Sequence, residues 1–234
     1  MTRILLQPAF VLHQRPYRNT SLLLDVFTRD YGRLGIVAKG VRQRANADRA
    51  LLQPFNNVLI SYSGHGELAT LTAVERQAQL GELKAKALFS GLYMNELLLR
   101  LLHRNDPHDA LFDLYRRSLL ELAAHPERVE PFLRQFECNL LVELGYGLTL
   151  EHEAVTGKPL SPDERYYYDI ERGPLGVEYA PAAAQPRVSG RCLLALAAGS
   201  FDDPETAKEM KGLMRHVLAH HLNGRPLKSR ELFI

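Results

Sequence analysis

The densest chemistry in this 234-residue chain lies in one run, RDYGRLGIVAKGVRQRANADR, from Arg29 to Arg49. Six cations (Arg29, Arg33, Lys39, Arg42, Arg44, Arg49) stand there against two acids, Asp30 and Asp48. Leu34 to Ala38 is a short apolar stretch of strand character, and the residues after Gly40 are polar and loop-like. A strand that opens into a basic loop can present several cations to a phosphate backbone. Neutralising phosphates releases condensed counterions, which gives affinity without reading sequence. A solvated basic loop is the structural alternative.

Other chemistry-bearing groups carry less. His216 and His220 are four apart on a helical stretch and His221 adjoins them, which is half of a metal site. The residues between the first two are Val217, Leu218 and Ala219, without the Glu of a metalloprotease helix, and a His near a helix C-terminus complements the dipole. No metal is expected. Gly157-Lys158 lacks the other residues of a P-loop, and the acid pairs Asp202-Asp203 and Glu151/Glu153 suit capping or solvation. No nucleophile-and-base set emerges, so no enzyme and no cofactor is expected. Cys138 and Cys192 sit in apolar, helix-like settings as small hydrophobes, consistent with a reducing cytoplasm.

Charge is unevenly spread. The chain holds 29 Lys+Arg and 27 Asp+Glu, but residues 1–80 carry ten basic and five acidic side chains, so one face for a polyanion is expected there. Tyr17 and Tyr31 flank basic residues, where they could stack on unpaired bases or fill a core. Arg134, beside Leu133, Phe136 and Leu140, could grip a partner's carboxylate or be a solvated flank. No apolar run reaches the ~18 residues of a membrane span, and the N-terminus MTRILLQPAFVLHQRP has no cleavage signal.

These residues need elements to hold them. Strands are expected at Ala9–Gln14 (ended by Arg15-Pro16), Ser21–Thr28, Leu34–Lys39, Val58–Tyr62 and Leu68–Val74, the last two joined through Ser63-Gly64-His65-Gly66. Five short strands in so few residues suit a small closed barrel, either an OB-fold or an SH3-like one. After Gln77 the period becomes helical: Leu83 to His103, then to about Ala124, then Glu130 to Leu144. Residues 148–188 read as irregular. Helices return at Gly190–Ala198 and Pro204 to about Leu222, before a basic tail, NGRPLKSRELFI. The expected organisation is a barrel over 1–78, a helical domain over 79–147, the irregular segment 148–188, and C-terminal helices over 189–234 that complete the helical domain.

Several stretches resemble the RecO family of bacterial recombination mediators and DNA-repair proteins: PAFVLHQRPYRNTSLLLDVFTRDYGRLGIVAKGVR, LLQPFNNVLISYSGHGELATL, SGLYMNELLLRLL, RQFECNLLVELGYG and GRPLKSRELF. The resemblance spans essentially the whole chain in order. It implies an α+β fold: a five-stranded N-terminal OB-fold followed by a helical domain. It also implies a non-enzymatic, cytoplasmic and nucleoid-associated protein that binds single- and double-stranded DNA and anneals complementary strands. Partners implied are RecR, the C-terminal tail of single-strand-binding protein, and indirectly RecA, which is loaded onto coated DNA. The tail is bound by the helical domain in the family, which raises Arg134 as its contact. Many relatives carry a four-cysteine zinc ribbon; this chain has Glu153 and Thr156 at the first ligand pair and no second pair around Glu178, so the segment is expected to be zinc-free and to fold on packing alone.

The DNA-contacting set expected on these grounds is Arg33, Lys39, Arg42, Arg44 and Arg49, extended by Arg215, Arg225, Lys228 and Arg230 if the C-terminal helix folds back toward the barrel. An adaptor whose basic face binds an acidic protein is the alternative class. A nuclease would need a carboxylate cluster that the sequence does not offer.

Overall fold

The computed structural model describes residues 3–43, 47–64, 68–78, 80–179, 185–201 and 203–233. Arg44, Asp202 and much of the hairpin connection at His65-Gly66 lie outside the described residues. The chain forms two compact units, Met1–Glu127 with Leu227–Ile234, and Arg128–Pro226.

The first unit begins with β1 (Arg3–Tyr17), β2 (Ser21–Thr28), β3 (Gly32–Ala38), the short helix α1 (Ala47–Leu51), β4 (Asn57–Ser63) and β5 (Ala69–Ala78). The five strands close into a barrel in the order β1-β2-β3-β5-β4, with β3 and β5 parallel and the other pairs antiparallel. This is an OB-like ring. Alternation explains its core: Leu22, Leu24 and Val26 of β2 point inward with Leu34 and Ile36 of β3 and Val58 and Ile60 of β4. Leu52, fully buried just after α1, plugs the interior.

Two local readings of the sequence differ from what forms. β1 continues through Pro16 to Tyr17. Its early half pairs with β4 on one side, but beyond Phe10 only β2 is its partner, so Pro16 lies on an unpaired edge where its missing N–H costs nothing. The stretch after Gly40 is not simply a loop: Val41 enters the barrel core and α1 comes next.

The outer face of the barrel is also apolar where helices cover it. α2 (Ala85–Leu101) and α3 (Asp109–Ala124) belong to the same unit. Phe10 and Phe27 meet Phe112 at 5.1 and 5.5 Å between ring centroids, and Phe10 meets Tyr115 edge-on at 5.0 Å. Asn95 donates to the Leu12 carbonyl at 2.8 Å and accepts from the buried Tyr115 hydroxyl. The change from strand to helix between Ala78 and Ala85 therefore falls inside this unit.

The unit is completed from the far end of the chain. A 3-10 segment, Lys228–Phe233, lies on α2. The Glu96 carboxylate accepts the N–H groups of Lys228 (3.1 Å) and Ser229 (2.8 Å) and the Ser229 hydroxyl (2.7 Å). The Arg230 guanidinium lies 6.0 Å from the centre of the Tyr93 ring.

The second unit holds α4 (Val129–Glu143), α5 (Gly190–Ala197) and α6 (Pro204–His221), packed through Phe136, Leu140, Leu193, Leu196, Met214 and Val217. Asp203 caps α6, accepting from the Glu205 N–H, with Pro204 at the first turn. The segment read as irregular carries a three-stranded antiparallel sheet, β7-β6-β8, from β6 (Arg165–Asp169), β7 (Gly173–Leu175) and β8 (Arg187–Ser189). Tyr166 and Tyr168 alternate into its core.

Candidate nucleic-acid interface

One end of the barrel gathers cations. Tyr17 of β1 pairs with Ser21, and Leu22 sits between Pro16 and Ala38, so the β1–β2 turn and the segment after β3 share that end. The Arg42 N–H donates to the Thr20 carbonyl at 2.9 Å, and its Nη1 donates to the Arg18 carbonyl at 3.2 Å. Lys39 and Arg42 are exposed. Arg49, exposed on α1, belongs to the same connection, and its carbonyl accepts from Gln53, which in turn accepts from Gln14 of β1. Of the expected set, Lys39, Arg42 and Arg49 are thus placed on the β3–β4 connection, with Arg42 bonded to the turn that follows Tyr17. Arg44 lies outside the described residues.

Arg33 is placed differently. Its Nε donates to the Leu102 carbonyl at 3.2 Å, its Nη1 lies 3.7 Å from Asp25, and its own carbonyl accepts from Asn105. Burial, then the neighbouring Arg104, holds its guanidinium below the ordinary value, opposed by Asp25. It fastens β3 to the end of α2 and does not stand open to a phosphate.

The two tyrosines are at opposite ends of β2, whose eight residues span roughly 26 Å at about 3.3 Å each. Tyr31 meets Tyr62 edge-on at 6.3 Å beside a cavity of about 350 Å³ lined also by Ile4, Leu34 and Pro107. Burial, then Tyr31 and Asp30, pushes the Tyr62 hydroxyl up to about 12. Tyr17, half-buried, carries the Arg18 guanidinium 5.3 Å from its ring centre.

Sequence reasoning passed over Arg15 and Arg18, both exposed on or next to β1. The signal was available: two arginines flank Pro16-Tyr17, and His13, Arg15 and Tyr17 recur at the strand period of two.

The C-terminal candidates separate. Lys228 and Arg230 lie on α2 of the first unit; Lys228 is exposed, whereas Arg230 is half-buried against Tyr93. Arg215 on α6 and Arg225 are exposed residues of the second unit.

Arg134 is not a solvated flank. It is 6 % exposed on α4, and its Nη2 donates to Glu137 at 2.8 Å one turn on. Its Nε and Nη1 are buried with no hydrogen-bond partner among the described residues.

Several other titratable groups support structure. Glu153 is buried; its carboxylate accepts the N–H groups of Val155 (3.0 Å) and Thr156 (2.6 Å) and the Thr156 hydroxyl. Burial raises its proton affinity, but these bonds and one from Gly176 outweigh it and hold the carboxyl below its usual range. A carboxylate so engaged closes the turn itself, so packing is not the sole support of this segment, and its oxygens are not left to ligate an ion. Among the described residues no group of three or more His, Cys, Asp or Glu could hold a metal. His221 stacks on Tyr146 at 4.2 Å, and burial, then His220, lowers the proton affinity of both His216 and His221. Burial pushes both cysteine thiols up to about 12, so they are neutral and unreactive at physiological pH. Among the described residues no helix is long and apolar enough to cross a membrane.

Comparison with known proteins settles the family. Residues 1–79 match the family model described as Recombination protein O N terminal, and residues 83–231 match Recombination protein O C terminal. The chain belongs to the RecO family. The DNA repair protein RecO of Methylococcus capsulatus is 48 % identical over 233 residues, covering 99 % of this chain and 94 % of that one. The RecO proteins of Nitrosococcus oceani and Nitrosospira multiformis are 46 % and 44 % identical, covering 98 % and 97 % of this chain and 93 % of each relative. The two RecO matches meet at the β5–α2 connection and run on to the C-terminal segment held by Glu96.

Proposed function

We propose that this RecO-family chain is a DNA-repair and homologous-recombination mediator that works in the cytoplasm, on the nucleoid, by binding and not by catalysis. It binds single- and double-stranded DNA through the barrel end that carries Lys39, Arg42 and Arg49, anneals complementary strands, and acts with RecR to load RecA onto DNA coated by single-strand-binding protein. The observation that carries this reading is a closed OB-like barrel, in a RecO-family chain, with exposed cations and a half-buried tyrosine gathered at one end. Masking phosphate charge on two strands lowers their repulsion, which promotes annealing without a chemical step. In the same reading the tail of single-strand-binding protein docks on the second unit, with Arg134 as the contact for its carboxylate once the tail opens a way to that buried side chain. Arg215, Arg225 and Lys228 add secondary phosphate contacts.

The test is annealing of complementary oligonucleotides precoated with single-strand-binding protein, with and without this chain, across salt. Acceleration that fades with salt is expected. Absence of acceleration with DNA binding intact would leave a loading adaptor, and salt-insensitive protein contacts without DNA affinity would turn the reading to an acidic-partner module. Replacing Lys39, Arg42 and Arg49 together with Ala is expected to reduce the slope of log K against log salt by about 2 on single strands, at ~0.7 per phosphate. An unchanged slope would remove this barrel end from the DNA path.

A further inference from the structure

The β1–β2 turn has a feature that packing does not require. Arg18 adopts φ +51, a left-handed conformation unfavourable for any residue with a Cβ other than Asn or Asp, while Asn19 stands next to it. The conformation is held from two sides. Arg42 bonds the Arg18 carbonyl through its guanidinium and the Thr20 carbonyl through its N–H. The Arg18 guanidinium, meanwhile, lies over the Tyr17 ring.

We propose that Tyr17, Arg18 and Arg42 form a subsite for one unpaired nucleotide of single-stranded DNA, its base stacking on the Tyr17–Arg18 platform and its phosphate meeting Arg42. The proposal rests on the reading of the barrel as DNA-binding and names the ligand and the roles within it. A guanidinium is flat and weakly hydrated, and bases stack on such planes as on aromatic rings. Arg42 is exposed, with donors in the planar fork that suits phosphate oxygens. Charge complementarity favours a polyanion: neither 13–20 nor 39–43 contains an acid, and Arg15 and Lys39 add positive charge. Tyr31 lacks this setting. Asp30 precedes it, Arg29 is bound to Asp113 at 2.7 Å, and its ring is set against Tyr62.

The experiment compares, by fluorescence anisotropy on the full chain, an oligothymidylate with an oligomer of equal length whose bases are replaced by abasic residues. The natural sequence is expected to bind the base-bearing strand about tenfold more tightly. Tyr17→Ala should erase most of that preference. Arg18→Gly, which keeps the left-handed turn, and Arg18→Lys, which keeps the charge but not the plane, should do the same, the latter without changing the salt slope. Arg42→Ala should lower the slope by about 0.7. Equal binding of both oligomers by the natural sequence would mark a site for phosphates alone and overturn the subsite. Retention of the preference by Arg18→Lys or by Tyr17→Ala would overturn it too. Failure to bind either oligomer would overturn the DNA-binding reading itself and the subsite with it.

Discussion

At the scale of single residues, Arg134 makes the sharpest separation between stability and recognition. Its partner Glu137 is fully buried, so Arg134→Ala removes the cation facing a buried carboxylate and is expected to destabilise the fold by about 3–5 kcal/mol. Arg134→Met with Glu137→Leu removes both charges and should recover most of that loss in chemical denaturation. Affinity for the tail of single-strand-binding protein is then the informative readout: loss in the double variant, with stability recovered, assigns the contact to Arg134, and retention excludes it. Gly32 is constrained differently. It has φ +64, and a Cβ there would stand 2.0 Å from the Asp106 carbonyl oxygen, so Gly32→Ala must push the 106–107 turn off the barrel. A loss of more than about 2 kcal/mol is expected from strain and displacement together, and a wild-type melting temperature would contradict that. Burial is why Arg134 was hard to read in the sequence: an arginine beside Leu133 and Phe136 looks like a flank until its enclosure and its bond to Glu137 are seen.

At the scale of elements, three glutamates act as clasps. Glu96 holds the C-terminal segment to α2, Glu153 closes the turn at 153–157, and Glu209 accepts the Ser189 N–H and hydroxyl at the start of α5. For each, burial raises the proton affinity and the bonds lower it further than that, so each carboxyl is held below its usual value. A depressed folded value means stability that is present above the ordinary Glu range and lost as pH falls from about 4 through the depressed values. Acid denaturation should therefore begin earlier in the natural chain than its neutral-pH stability alone implies. Glu153→Gln should lower stability at pH 7 while flattening the acid limb; a parallel shift at all pH values would exclude the clasp. The elements themselves were largely legible, because β2 alternates over eight residues, β3 is a short apolar run entered through Gly32, and α2 to α4 keep a helical period for fifteen or more. β7 and β8 are three residues each and α1 is five, too short for any period to declare itself. The basic barrel end was legible as charge, but the commitment of Arg33 to Leu102 was not, since that bond joins residues 69 apart.

At the scale of the whole molecule, the second unit is an insertion between Glu127 and Leu227 of the first. Two of the motifs that carry the family resemblance, YMNELL and LKSREL, meet in space: Tyr93 faces Arg230 and Glu96 holds Lys228 and Ser229. Removing residues 227–234 should lower amide-exchange protection along α2 and leave α4 and α6 unchanged. Equal loss in both units would mean that they unfold as one. The same junction sets a schedule during translation. The barrel strands leave the ribosome first, yet the last contacts of their unit cannot form until residues beyond 226 have emerged. The N-terminal unit is therefore the one that finishes last, and a nascent chain stalled before that point would display Tyr93 and Glu96 uncovered.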